Sequence, residues 1–218
     1  QLVGWFVTEG WWQRWRDRRY PRLSQSICNP SNVEKIHSVL NQLGGHYSAW
    51  EAPSKPGYKP HVNFYIRKPL ADRLASACPE KALTLSFVLS LPAHQLSLLV
   101  STMLAGDGHV RPDGRFQFIQ NAGDTLEAFR VACLLLGIST GLSKHGNGFT
   151  VTSRKASRAW LRHGTLGPVN YSGDVWCPEV AEYGTWVARR NGQIFITGNS
   201  KAIPLTLETL ALHPIRVL

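Results

Sequence analysis

Two apolar runs end in the same way. LVGWFVTEG (Leu2 to Gly10) and LVSTMLAGDG (Leu99 to Gly108) each read as a helix that stops on an acid followed by glycine, Glu9-Gly10 and Asp107-Gly108. The segments behind them are also alike. After Glu9 the chain alternates through RYPRLSQS, turns, and takes helical spacing at Val33, Ile36, Val39, Leu40 and Leu43 before Gly44-Gly45. After Asp107 comes a hairpin turning at Pro112-Asp113-Gly114, a strand, and helical spacing at Leu126, Phe129, Val131, Ala132 and Leu136 before Gly137. Each half then offers a strand pair, HYSAW with HVNFYI and STGLSKHG with GFTVTS. Arg67-Lys68 and Arg154-Lys155 hold matching places before a further helix. The pattern is an internal repeat of period 98, from Glu9 to Asp107. It predicts an α+β fold of two tandem α-β-β-α-β-β-α units in residues 1–168, the first spanning 1–92 and the second 93–168.

A carboxylate at a helix C-terminus sits where the backbone dipole is already negative. Small residues at i, i+4 spacing (Gly4 and Thr8, Ser101 and Ala105, Thr102 and Gly106) let the two helices approach closely, which would bring Glu9 and Asp107 together. Two such carboxylates repel each other unless a cation lies between them, and a divalent ion with oxygen ligands, Mg²⁺ or Mn²⁺, suits the pair. Alone, each acid reads as a solvated helix end. Paired, they read as a site. Gly10 and Gly108 are expected to supply left-handed C-terminal turns.

Composition narrows the partner. The 218 residues carry a formal charge of +10 and 43% hydrophobic residues, with a pI near 9.8, which favours a polyanion. The apolar stretch Leu83 to Ala105 is interrupted by Pro92, His94, Gln95 and serines, so it does not read as a membrane span. Cys28, Cys78, Cys133 and Cys177 are far apart without a CxxC pair, which fits a reducing cytoplasm, and no signal peptide is legible. Gln1 already lies inside a helical pattern without an initiating Met, as in a fragment whose N-terminal part is missing. QRWRDRRYPR carries Arg14, Arg16, Arg18, Arg19 and Arg22, interleaved with Trp15 and Tyr20. With Arg67, Lys68, Arg111, Arg115, Arg154 and Lys155 these are the candidate contacts to the phosphates of a polyanion. Gln25 and Gln120 occupy equivalent strands and could reach bases or an attacking water.

The two nonapeptides and the repeats behind them resemble the LAGLIDADG (DOD-type) homing endonucleases over about three-quarters of the chain. The resemblance implies a pseudo-symmetric, monomeric nuclease whose two antiparallel sheets straddle duplex DNA in the major groove. Its acids fall on Glu9 and Asp107, and its metal-binding backbone carbonyls on Thr8 and Gly106. The family's pocket lysine matches Lys81 in EKALTL, although Thr84 stands where a proline is usual and the second repeat has no clear counterpart. A maturase-like binder that has lost cleavage is the alternative.

From Gly173 the texture changes. GDVWCPEVAEYGTWVARRNGQIFITGNS suggests short strands at Val175-Trp176, Trp186-Val187 and Ile194 to Ile196, with a hairpin turn at Asn191-Gly192. This segment is similar to the C-terminal block of inteins. The resemblance implies a small all-β splicing (Hint) segment over residues 169–199 and a flanking host sequence over 200–218. Asn199 would cyclise to release the chain after it, and Ser200 would be the hydroxyl nucleophile. Gly198 replaces the usual histidine, whereas Cys177 and Thr197 match class 3 inteins, in which an internal cysteine attacks first. The missing N-terminal intein half and the host protein would be the partners. Ser200-Lys201 with the run behind it resembles the end of a phosphate-binding loop, as in phage terminase large subunits, with Ala202 where a hydroxyl ligand is expected. The cell would then be bacterial or phage-infected.

Overall fold

The chain begins in a helix, Leu2–Glu9 (α1), that buries Gly4, Trp5, Phe6 and Val7. The structure, a computed structural model, describes residues 1–52, 57, 59–155, 170, 172–173, 180, 184–190 and 193–198. Contacts divide the chain into a unit of Gln1–Ser153 and a unit of Arg154–Leu218.

In the first unit α1 leads directly into a hairpin, Gly10–Trp15 (β1) and Arg18–Ser26 (β2), then Pro30–Gln42 (α2), the strands Tyr47–Ala52 (β3) and His61–Ile66 (β4), and Leu70–Ala77 (α3). A short helix, Leu85–Leu89 (α4), joins this half to Ala93–Asp107 (α5). The order then recurs: Gly108–Val110 (β5), Phe116–Gln120 (β6), Asp124–Leu135 (α6), Thr140–His145 (β7) and Gly148–Ser153 (β8). The final helix expected after Arg154-Lys155 lies outside the described residues. The two antiparallel sheets have the same strand order, β1-β2-β4-β3 and β5-β6-β8-β7. Thr84, at the position where the resemblance led one to expect proline, is the N-cap of α4 and accepts a hydrogen bond from Phe87 N at 3.3 Å.

Strand alternation sets the core. In β2 the inward residues are Pro21, Leu23 and Gln25, and the partners of Leu23 and Gln25 in β4 are Phe64 and Val62. Ile36 and Leu40 of α2 are fully buried, like Leu23 and Phe64. The second half repeats the arrangement with Phe118 and Val151 beneath α6, where Phe118 stacks on Phe129 at 4.1 Å between ring centres. Each such apolar side chain stabilises the fold by about 1.5–3 kcal/mol on burial. The β1 segment GWWQRW was not legible as a strand because tryptophans occupy both of its faces. Trp12 turns inward onto Phe6, with 4.9 Å between ring centres, while Trp11 and Trp15 turn outward.

The halves meet along α1 and α5. A Cβ added at Gly4 would stand 3.0 Å from the side chain of Thr102, and one at Gly106 would overlap that of Thr8. Gly4 and Thr102 are equivalent positions of the repeat, as are Thr8 and Gly106. Each residue packs on its own counterpart, as residues beside a two-fold axis must. One partner is small wherever the other is large.

Gly10 and Gly108 do not adopt the expected left-handed turn. Both are extended, with φ −103° and −111°. Glycine is needed for room: the strand starts so abruptly that a Cβ would lie 2.5 Å from the Phe6 carbonyl oxygen at Gly10 and 2.6 Å from that of Leu104 at Gly108.

In the second unit Thr185–Arg190 (β9) and Gln193–Gly198 (β10) pair antiparallel, which includes the expected strands at Trp186-Val187 and Ile194 to Ile196. Val175-Trp176 and the Asn191-Gly192 turn lie outside the described residues.

Gly106→Ala is expected to cost about 1–3 kcal/mol by overpacking the helix seam. Thr8→Ala should recover much of that loss in the double variant, so urea denaturation of the four-member cycle should give a clearly non-zero coupling.

Candidate functional site

Because the seam ends on the two acids, Glu9 and Asp107 finish side by side, each at a helix C-terminus whose dipole disfavours its charge. Both carboxyls are raised above their ordinary pKa values. For Glu9 burial is the main cause and the Asp107 charge the next, opposed by the Gln25 side chain and by Lys81. For Asp107 burial raises the value and Lys81 opposes it. The nearness of the Asp107 charge thus adds to burial in disfavouring the ionised form of Glu9.

Gln25 and Gln120 are brought to matching places. Gly10 pairs with Leu23 and Gly108 with Phe118, so each glutamine lies two residues beyond the strand partner of the glycine that succeeds an acid. Each Oε1 accepts the N–H of the next residue at 2.9 Å, from Ser26 and from Asn121. Gln25 is buried and its amide nitrogen Nε2 makes no hydrogen bond of good geometry, leaving a donor close to Glu9. Lys81 sits in a left-handed conformation, φ +60°, in the loop after α3, within electrostatic reach of both acids and of Cys78. A lysine matched only by a degenerate motif is thus brought near both acids. Thr8 donates to the Gly4 carbonyl at 3.1 Å and, with Gly106, forms the seam immediately before the acids. Sequence reasoning missed Asn32 of α2, whose Nδ2 donates to the Ala105 carbonyl at 2.8 Å and satisfies the end of α5.

The two acids make a suitable oxygen-donor pair for a hard divalent cation, with the Gln25 amide and the Lys81 charge close by. Among the described residues no three His, Cys, Asp or Glu side chains gather around one point, so Glu9 and Asp107 would share such an ion with water and ligand oxygens.

The sheet faces turned away from the helices differ. The first carries Trp11, Gln13, Trp15, Arg18, Tyr20, Arg22, Trp50, Asn63 and Tyr65, read from the strand register. The exposed aromatics Trp11, Trp15 and Trp50, at 40–64% exposure, are not needed by the core. The second face carries His109, Gln117, Ile119, Ser143, His145, Thr150 and Thr152, with no Lys or Arg among these strand positions and with Arg111 and Arg115 at the loop end of β5 and β6. Trp50, Asn63 and Tyr65 also escaped the reading of the sequence, although strand alternation was signal enough to find them.

The same alternation divides the arginine run. Arg18 and Arg22 stand on the open face, but Arg14 and Arg19 pair with each other on the helix side, contrary to the expectation of one DNA-facing strand. Arg19 donates to Glu80 at 2.8 Å and to the Pro79 carbonyl at 3.1 Å. Arg16 occupies the β1–β2 turn with φ +52°. Lys68, next to the exposed Arg67, approaches Asp72 at 3.7 Å. In the β5–β6 loop Arg111 and Arg115 are joined through their backbones, and Arg115 is held by Asp113 at 2.6 Å. Arg154 and Lys155 are exposed. Thr197 lies on β10 opposite Trp186, while Cys177, Asn199 and Ser200 lie outside the described residues. At Gly198, where the intein resemblance led one to expect histidine, a Cβ would overlap the Gly184 carbonyl. Among the described residues no helix is long and apolar enough to cross a membrane.

No protein-family model matches the chain. No curated protein matches it either. Solved structures do. A homing endonuclease, I-DmoI, in complex with DNA and Ca is similar with a TM-score of 0.52 at 12% identity, over 70% of this chain and 79% of that one. Mesophilic variants of I-DmoI give 0.51 at 12%, over 70% and 85%. A further I-DmoI complex, with its target DNA and Mg, also gives 0.51 at 12%, over 70% and 85%. Over that share of its length the chain thus resembles the LAGLIDADG homing-endonuclease fold.

The raised carboxyls predict a pH effect. Both bind protons more tightly folded than unfolded, so their ionisation opposes folding; the penalty is absent below the ordinary carboxylate values and complete above the raised ones. Glu9→Gln combined with Asp107→Asn should raise Tm by a few degrees at about pH 7 and leave it nearly unchanged at about pH 3 in metal-free buffer.

Proposed function

We propose that this chain is a site-specific, metal-dependent endonuclease that cleaves both strands of duplex DNA, as the LAGLIDADG homing endonucleases do. One observation carries the reading: Glu9 and Asp107, contributed by equivalent helices, converge where the two halves meet and are electrostatically coupled. The strand register supports it by giving each half an open polar face beside that junction.

In this reading the sheets dock in the major groove and the exposed cations hold phosphates. Glu9 and Asp107, with the backbone carbonyls of Thr8 and Gly106, hold Mg²⁺ or Mn²⁺. Such an ion, when bound, supplies charge neutralisation at the scissile phosphates and lowers the pKa of bound water. A cation held between them would offset the mutual repulsion of the acids. Gln25, whose amide acts on Glu9, would also meet a water or phosphate oxygen there, and Gln120, at the matching place of the second sheet, would do the same in its half. Lys81 places one positive charge near both acids, where it offsets charge developing on the phosphates.

The last part of the chain is proposed as the C-terminal splicing segment of a class 3-like intein with a short host sequence behind it. The sequence pattern at Cys177, Thr197, Asn199 and Ser200 supports this, and the β9–β10 hairpin is compatible with it.

With a library of randomised duplexes and Mg²⁺, the wild type should cut a narrow set of sequences on both strands. Glu9→Gln and Asp107→Asn should each lower cleavage by at least about 100-fold while still binding the same set. Binding without cutting by the wild type would instead favour the maturase-like binder. In a chain rejoined to its N-terminal half, Cys177→Ala should block the first splicing step and Asn199→Ala the C-terminal release. Mass spectrometry of the products would separate the two.

A further inference from the structure

The open face of the first sheet holds one arginine in an unusual state of preparation. Arg22 lies in β2 between Trp11 of β1 and Tyr65 of β4. Its guanidinium stands over the Tyr65 ring at 4.4 Å and over the Trp50 ring at 5.2 Å. Its Nε donates to Gln13 Oε1 at 2.6 Å. These contacts fix the plane of the group and use the one N–H that points back along the side chain. The two terminal nitrogens, the edge that makes paired parallel hydrogen bonds, have no partner among the described residues. A guanidinium clamped in this way has already lost most of its rotamer freedom, so little is left to lose on binding. Its position is also informative. It lies within the sheet face, on an inner strand with neighbours on both sides, and not on a rim loop where phosphates are met.

The second sheet lacks this device. The residue equivalent to Arg22 is Gln117, which pairs with His109 and Thr152 as Arg22 pairs with Trp11 and Tyr65. The ring partners Tyr65 and Trp50 become Thr152 and Ser143. One half therefore presents a rigid cationic fork and the other a neutral amide among small hydroxyls. In the major groove these match different bases: the fork fits O6 and N7 of guanine, and the amide fits N6 and N7 of adenine.

Resting on the proposed duplex-DNA function, we propose that Arg22 reads a guanine in the half-site bound by the first repeat, and that Gln117 reads an adenine at the symmetry-related position. The target is then non-palindromic at that step, although the fold is pseudo-symmetric.

The test selects bound duplexes from a randomised pool with the full chain in Ca²⁺ and sequences them, for the wild type and for Arg22→Lys and Arg22→Gln. The wild type should enrich guanine at one position of one half-site only. Arg22→Lys should flatten that preference about tenfold, leaving the other positions unchanged. Arg22→Gln should move the preference to adenine, a gain that misfolding cannot produce. The proposal is overturned if the guanine preference survives Arg22→Lys. It is equally overturned if Arg22→Gln weakens every sequence alike and lowers the salt slope by about one, the mark of a phosphate contact. If the wild type enriches no duplex at all, the DNA-cleavage reading itself fails, an outcome distinct from a wild type that binds selectively without using Arg22.

Discussion

The arrangement depends on how closely α1 and α5 approach. Gly4 admits Thr102, and Gly106 admits Thr8, so the backbones meet at two successive turns. Internal duplication gives that contact its consequence. When equivalent residues touch, everything at fixed offset from them is related by the same pseudo-two-fold operation, including the acids and the glycines that follow them, and the strand register brings the glutamines into the same relation. A bulkier residue at either glycine would separate the helices and with them the carboxylates.

The site is built at the expense of local stability. Two acids placed at negative helix ends, partly buried and beside each other, are each harder to ionise than in water. Lys81 and Gln25 reduce that cost on one side of the axis. The pseudo-symmetry of the backbone is therefore not matched by the charges: one described lysine serves both acids, and the open faces diverge into a basic aromatic one and a neutral polar one. This kind of asymmetry suits recognition of an asymmetric polymer, with a common scaffold positioning the chemistry and independently varied strands meeting the partner.

Much of this was legible in advance. The period-98 repeat, the two acid-terminated helices and the strand pairs all arise from short-range periodicity, which one chain displays without any knowledge of its neighbours. The equivalence of Gln25 and Gln120 was legible too, because each lies at a similar offset from its acid. Other expectations met tertiary constraints. Gly10 and Gly108 looked like left-handed caps because glycine after a helix usually is one; here it makes room for a strand that starts beside a carbonyl. The arginine run looked like a single basic face, but a pleated strand sends alternate residues to opposite sides and turns Arg19 toward Glu80. Lys81 could not be secured from its motif, since its nearness to both acids arises from a left-handed loop that no periodicity encodes.

The sequence by itself determined the elements, their duplication and the identity of the paired acids, because propensity, patterning and repeat spacing are local properties. Only the tertiary structure decided that the acids are coupled, that Lys81 comes near both, and which of the arginines face outward. Those depend on interhelical distance and strand register, which are set by side chains far apart in the chain packing against one another.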